Sequence, residues 1–295
     1  MLRKLAPALV VPLLVVASCA TEAGDATVEV RTGPAAAATL RAAPDAAAEA
    51  GTASFRMVME LSVQGIPLTV EATGAFDTDN QRMSMEMDMG AMLDEIASST
   101  GETVPEGFDE PMRFVADGST MYVQSPLFDV AGGPGGWLSI SSEDLGSGSA
   151  GLGSYDPSTF LESLRGVKGG PEVVGTEEID GVETTHYTAT LDLRQAVEEA
   201  PDDQRALIEA QLGQLGAAEI AVDAWIDGDG LPRRLRMDMG SMFGALGLGA
   251  GTDAVMTMDF FDYGVPVDIR VPSPDEVTPF TDVMGTLGGM AGDGA

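Results

Sequence analysis

Arg82-Met83-Ser84-Met85-Glu86-Met87-Asp88-Met89 is the stretch that decides the fold. Its methionines alternate with polar residues. Alternate side chains of an extended strand share a face, so Met83, Met85, Met87 and Met89 line one side and Ser84, Glu86 and Asp88 the other. The same period of two recurs along the chain. Phe55, Met57, Met59, Leu61 and Val63 share a face of a strand over 54–63. Leu235, Met237 and Met239 lie opposite Arg236 and Asp238, Met256, Met258 and Phe260 repeat the pattern, and so do Val265, Val267, Ile269 and Val271. One apolar and one polar face marks an antiparallel sheet covered on one side. Turn chemistry separates the runs at Asp77-Thr78-Asp79-Asn80, Asp117-Gly118, Asp180-Gly181 and Asp227-Gly228-Asp229-Gly230, so the strands pair as hairpins and meanders.

Helical signals are fewer. Residues 90–98 place Met92, Leu93 and Ile96 on one side. Asp156-Pro157-Ser158 reads as an N-cap and first turn, followed by the stripe Phe160, Leu161 and Leu164. A third helix is expected near Pro201, carrying Leu207, Ile208, Leu212 and Leu215. The Gly/Ser-rich stretch 131–154 reads as a long loop. Residues 74–92 and 224–242 align without a gap, matching at Asp77/Asp227, Asp79/Asp229, Met87/Met237, Asp88/Asp238, Met89/Met239, Gly90/Gly240 and Met92/Met242. This suggests two similar hairpins leading into similar turns. The fold class is therefore α+β: an antiparallel sheet closed on one face by two or three helices.

The amino terminus has a different character. Arg3-Lys4 precedes an apolar run from Leu5 to Val16, which is too short to span a bilayer and ends in small residues. These are the marks of a secretory signal peptide over 1–18. Val16-Ala17-Ser18-Cys19 resembles the lipobox of bacterial lipoproteins, and Cys19 is the only cysteine of the chain. The resemblance implies cleavage before Cys19 and acylation of its thiol. Two or three acyl chains hold a protein firmly to a membrane surface, at about 0.8 kcal/mol per buried methylene. The expected location is the extracytoplasmic side of the cell membrane. Residues 19–50, poor in large apolar side chains, read as the lipidated cysteine and a disordered tether. A folded domain is expected over 51–272. Residues 273–295 read as a mostly flexible tail, with 277–280 as the part able to pack back.

The chain carries 47 acidic and 15 basic residues, a net charge of −32. The signal segment removes Arg3 and Lys4 and no acid, which leaves 13 against 47, or −34, with Lys168 as the one remaining lysine. Such a surface repels phosphate backbones and excludes a nucleic-acid partner.

Catalytic chemistry finds little support. His186, the only histidine, sits in the strand-like run Thr184 to Leu191 with no nucleophile motif beside it, and reads as structural. No G-x-S-x-G, S-x-x-K, HExxH or phosphate-cradling loop appears. Asp77/Asp79 and Asp227/Asp229 lack the further ligands and distal Glu of a calcium loop. No metal, cofactor or catalytic residue is assigned. Thioethers select Cu(I), but alternate residues on a strand lie about 6.7 Å apart, which keeps one ion from using three in a row. Methionine also suits surfaces that accept varied apolar shapes. The face can be a plain packed core or an apolar pocket for acyl chains. Strand phase offers Met57, Met59, Met85, Met87, Leu161, Leu164, Met237, Met258 and Phe260 as candidate lining residues.

The C-terminal half resembles the LppX/LprG-type lipoproteins of actinobacteria. Gly175-Thr176-Glu177-Glu178-Ile179-Asp180-Gly181-Val182-Glu183-Thr184-Thr185-His186-Tyr187 carries the likeness, with Leu191-Asp192-Leu193, Ala224-Trp225-Ile226-Asp227 and Leu231-Pro232-Arg233-Arg234. Phe261-Asp262-Tyr263-Gly264-Val265-Pro266-Val267-Asp268-Ile269 and Pro272 complete it. The resemblance implies a fold of the LolA/LolB type: a strongly curved antiparallel half-barrel with two or three helices on its concave face. It implies a lipoprotein, lipid-anchored through palmitate or a similar chain, that holds lipid or glycolipid in a hydrophobic cavity and helps carry it through the cell envelope. The implied partners are that ligand, the membrane through the anchor, and an envelope transporter, with a monomer as the expected state. The alternative is a non-enzymatic envelope scaffold or sensor with a filled core that binds a protein partner, and a third is methionine-based copper binding.

Overall fold

The computed structural model describes residues 33–63, 65–101, 103, 110–125, 136–141, 157–192, 219–240 and 253–283. The signal segment, Cys19 and the helix expected near Pro201 lie outside them.

Twelve strands form one sheet: β1 Thr52–Val63, β2 Ile66–Asp77, β3 Arg82–Asp88, β4 Met112–Asp117, β5 Thr120–Gln124, β6 Trp137–Ser141, β7 Val167–Ile179, β8 Val182–Asp192, β9 Glu219–Asp227, β10 Pro232–Asp238, β11 Asp253–Phe261 and β12 Val277–Pro279. Their order is β12-β6-β5-β4-β3-β2-β1-β11-β10-β9-β8-β7. Every pairing is antiparallel except β12 with β6, which is parallel. The sheet is curved and unclosed, an α+β half-barrel with few helices. The chain runs outward from β1 to β6, then returns from the far edge, β7, to close the centre by pairing β11 with β1.

The turns do what their residues predict. Asp180 and Gly181 both have positive φ, 49° and 82°, as a two-residue primed turn between right-twisted strands requires. The Asp227 carboxylate accepts from the backbone N–H of Asp229 and of Leu231, both at 2.9 Å, and holds the β9–β10 turn. The repeat is visible in space. β2–β3 and β9–β10 are each followed by a helical residue whose N–H donates to an aspartate two residues earlier: Gly90 to Asp88 at 2.8 Å, Gly240 to Asp238 at 3.0 Å. The next strand then pairs with the second strand of each hairpin, β4 with β3 and β11 with β10.

Helix α1, Pro34–Ala50, corrects the tether reading for its 17 residues. The segment lacks large apolar residues, but alanine has the highest helix propensity. Ala36, Leu40, Ala43 and Ala47 fall on one buried stripe. Small side chains let the helix come close to the sheet, and Leu40 is fully buried. The Arg41 guanidinium donates to the Val167 carbonyl at 2.6 Å, and Arg165 joins Asp45 of α1, at 2.8 Å, to Glu162, at 2.5 Å. Helix α2 is Gly90–Thr100, and α3 is Pro157–Ser163, extended by the 3₁₀ turn Leu164–Gly166.

Two further expectations are corrected. Residues 137–141, placed in a loop, form β6, because Leu138 and Ile140 alternate with Trp137, Ser139 and Ser141 and are buried. Residues 265–271 alternate as a strand does but pair with no ladder. Pro266 and Pro272 supply no N–H, and the segment instead serves as a strap from the end of β11 to β12. It starts at β1, where the Gly264 N–H donates to the Thr52 carbonyl at 2.9 Å. Its own Ile269 and Pro272 are buried. At its end Val277–Pro279 packs back as β12, and Phe280 and Val283 pack against the core.

Candidate functional site

Register assigns the concave face. Partners in an antiparallel ladder share a face, so a single row crosses eight strands: Tyr187, Ala224, Leu235, Met258, Met57, Ala72, Met87 and Met112. A second row runs Phe260, Phe55, Gly74, Met85, Phe114, Val123 and Leu138. The methionines read from the sequence as one-sided strands thus form one continuous apolar surface.

Of the nine proposed lining residues, seven belong to one hydrophobic cluster and two pack against it. Their surroundings differ. Met57, Met85, Leu161, Leu164, Met237, Met258 and Phe260 are each 4% exposed or less. Met59 and Met87 are half-buried and pack against the rim of that cluster. Under α1 the face is filled by Leu40 and the helix alanines. Across β1 to β4, Met59, Leu61, Leu68, Met87 and Met112 stay half-buried. Helix α2 lies along β2 here, with Met92, Leu93 and Ile96 half-buried. Sequence reasoning missed Leu68 and Met112 as members of this lobe. Their signal was the register itself, through Leu61–Leu68 and Met87–Met112, which no sequence pattern states.

Two clefts are bounded by described residues. One, of about 740 Å³, lies on the outward face beneath the strap. The other, of about 810 Å³, lies at the hairpin ends around Asp77, Arg82 and Gly118. Of the nine proposed residues, only Met85 borders either one.

The outward face of the second half of the sheet is a charged network. His186 stacks on Trp225 with ring centroids 4.1 Å apart and 13° between planes. Its Nδ1 lies 3.1 Å from Glu177 Oε1 and its Nε2 3.3 Å from Asp223 Oδ1. Trp225 Nε1 donates to the other Glu177 oxygen at 3.0 Å. Both imidazole nitrogens and one ring face are thus occupied. Arg234 reaches Asp259 through two nitrogens, at 2.5 and 2.9 Å, and that hydrogen bonding raises the arginine's pKa. Arg233 donates to Asp227 at 2.7 Å and lies over the Tyr263 ring. Burial pushes the Tyr263 phenol far above its ordinary range, and its hydroxyl donates to the Pro232 carbonyl at 2.7 Å. Lys168 pairs with the buried Asp192. No group of three or more His, Cys, Asp or Glu among the described residues is placed to hold a metal ion.

No protein-family model and no curated protein matches the chain. Solved structures do. The lipoprotein LppX of Mycobacterium tuberculosis is 17% identical with a TM-score of 0.46, covering 80% of this chain and 99% of its own. LprF of Mycobacterium bovis is 16% identical with a TM-score of 0.45, covering 82% and 99%. A LolA-superfamily protein of Nitrosomonas europaea is 10% identical with a TM-score of 0.30, covering 81% and 94%.

Proposed function

We propose that this chain is a non-enzymatic envelope lipoprotein, anchored through Cys19, that takes up the acyl chains of a lipid or glycolipid and helps carry them through the cell envelope. The observation that carries the reading is the gradient along the methionine row. Met258 and Met57 are buried, whereas Met87 and Met112, on the same face, are half-buried. Apolar surface left half-covered on a concave sheet gains about 25 cal/mol per Å² when an acyl chain covers it. Methionine, flexible and polarizable, fits chains of varied shape. Helix α2, packed along β2, is the element that would move aside. The lipobox and the acidic surface support a domain held off the membrane on the extracytoplasmic side, with an envelope transporter as donor or acceptor.

The test is a native mass spectrum of the chain from residue 20 onward, purified from its native host, followed by extraction and identification of bound lipid. A stoichiometric long-chain adduct is expected. A bare protein mass that takes up no added lipid would sink the reading. The deep burial of seven of the nine proposed residues favours a second reading, a filled-core scaffold that binds a protein partner, and that outcome would leave it standing.

A further inference from the structure

The outward cleft shares only Met85 with the nine candidate lining residues, and its polar lining has a different chemistry. The strap 262–276 leaves β11 and crosses towards β12, beside β6. Between strap and sheet lies the cleft of about 740 Å³. Its floor carries the small polar side chains of Ser54, Thr73 and Ser84 beside apolar residues such as Phe55 and Met85, on strands paired along both edges. A half-buried aromatic ring stands at each end, Phe261 on β11 and Trp137 on β6. Six interstrand steps separate those strands, roughly 29 Å at about 4.8 Å each. The cleft therefore spans several strands.

A row of planar polar groups lines it. Arg113 donates through Nε to Glu86 at 2.9 Å and through Nη1 to the Gln124 side-chain oxygen at 3.2 Å. Trp137 is the cross-strand partner of Gln124, so the row Glu86, Arg113, Gln124, Trp137 continues on one face. On the strap, Arg270 donates to both carboxylate oxygens of Glu276, at 2.9 and 3.1 Å. That carboxylate also accepts from the Ser273 N–H at 2.9 Å and hydroxyl at 2.7 Å, which fixes the turn of the strap.

We propose that this groove binds a neutral glycan chain. Each arginine is matched by a carboxylate, which disfavours phosphate or another anion as the ligand. The floor strands have no free edge, so a peptide cannot add as a strand. Fixed pairs of donors and acceptors beside aromatic faces suit a ligand that offers hydroxyls on its rim and C–H groups on its faces, as a pyranose chain does. The glycan can belong to a free polysaccharide or to a glycolipid headgroup. The proposal does not need the acyl-chain reading, because its recognition rests on Glu86, Arg113, Gln124 and Trp137, none of them among the nine candidate lining residues.

The experiment uses the full chain in a detergent without sugar groups, on a Trp225→Phe background that leaves Trp137 as the single tryptophan. Maltohexaose, mannohexaose and cellohexaose are titrated, then vesicles of digalactosyl diacylglycerol, while Trp137 emission is followed. A saturable change with at least one probe is expected. Calorimetry of the same probe should show roughly tenfold weaker binding in Trp137→Ala and in Gln124→Ala, with melting temperatures close to that of the parent. Binding of a free hexasaccharide assigns the site to polysaccharide, and binding of the vesicles alone assigns it to a headgroup. No saturable change with any of these probes, or binding unaltered in both variants, overturns the proposal.

Discussion

The ring of Phe55 lies over Gly74, its cross-strand partner on β2. A Cβ at Gly74 would stand 2.5 Å from Phe55 Cζ and would also strike the Ser84 carbonyl. The glycine is required by close approach, since its φ is not positive. Gly74→Ala should therefore destabilise by about 1–3 kcal/mol, the cost of overpacking a full core. The check is a lower urea midpoint with an unchanged slope. Gly175→Ala is the control: a Cβ there meets nothing within 4 Å. Its midpoint should barely move.

Helix α1 should act as core and not as tether. Leu40 is fully buried among the sheet residues, so Leu40→Ala should cost about 2–5 kcal/mol. A chain beginning at Gly51 should lose cooperative unfolding, because it uncovers the face that α1 fills. A cooperative transition at the parent's midpoint in either protein would show that the helix contributes nothing to the core.

The gradient along the methionine row separates stability from binding. Met258→Ala empties space at a site 1% exposed and should cost about 2–5 kcal/mol. Met87→Ala, half-buried on the same row, should cost less and should weaken retention of a fluorescent fatty acid. Equal destabilisation by the two changes, with retention unaltered, would favour the filled-core reading.

Glu276 provides a pH dependence. The Ser273 hydroxyl and N–H, then Arg270, hold its carboxyl below the ordinary value of 4.5. A carboxyl whose folded pKa is depressed binds its proton less readily in the folded state. Its stabilisation is present above about 4.5 and is lost as pH falls through the lower folded value. Glu276→Gln should flatten the fall in thermal midpoint across that acidic window. A curve superimposable on the parent's would show that the strap turn does not depend on the charge.

The Arg234–Asp259 pair should matter more than an exposed one. Asp259 is 8% exposed and Arg56 is 4.0 Å away, a distant substitute. Arg234→Leu leaves that carboxylate without its two short hydrogen bonds, and should cost more than the ~0–1 kcal/mol typical of a surface pair. Asp259→Asn in the Arg234→Leu background should recover part of the loss, measured as urea midpoints.

Much of the architecture was legible before any coordinates. Period-two runs such as Met83 to Met89 and the Asp-Gly turns report backbone geometry that each segment carries within itself, so strands, hairpins and the apolar face followed from local pattern. Three things did not. Residues 34–50 look like a linker because alanine has little hydrophobic signal, and only a sheet close enough to receive small side chains makes them core. Val265 to Val271 alternates as a strand does, but a ladder needs a neighbour, and the strap has none to pair with. The seven strand candidates share a face by phase and Leu161 and Leu164 a helix stripe, yet which are sealed and which stay half-covered depends on what packs above each of them. The sequence by itself determined the alternation, and with it which side chains lie on the same face. Only the tertiary structure decided what covers each of them, because burial is set by residues far apart in the chain meeting across strands.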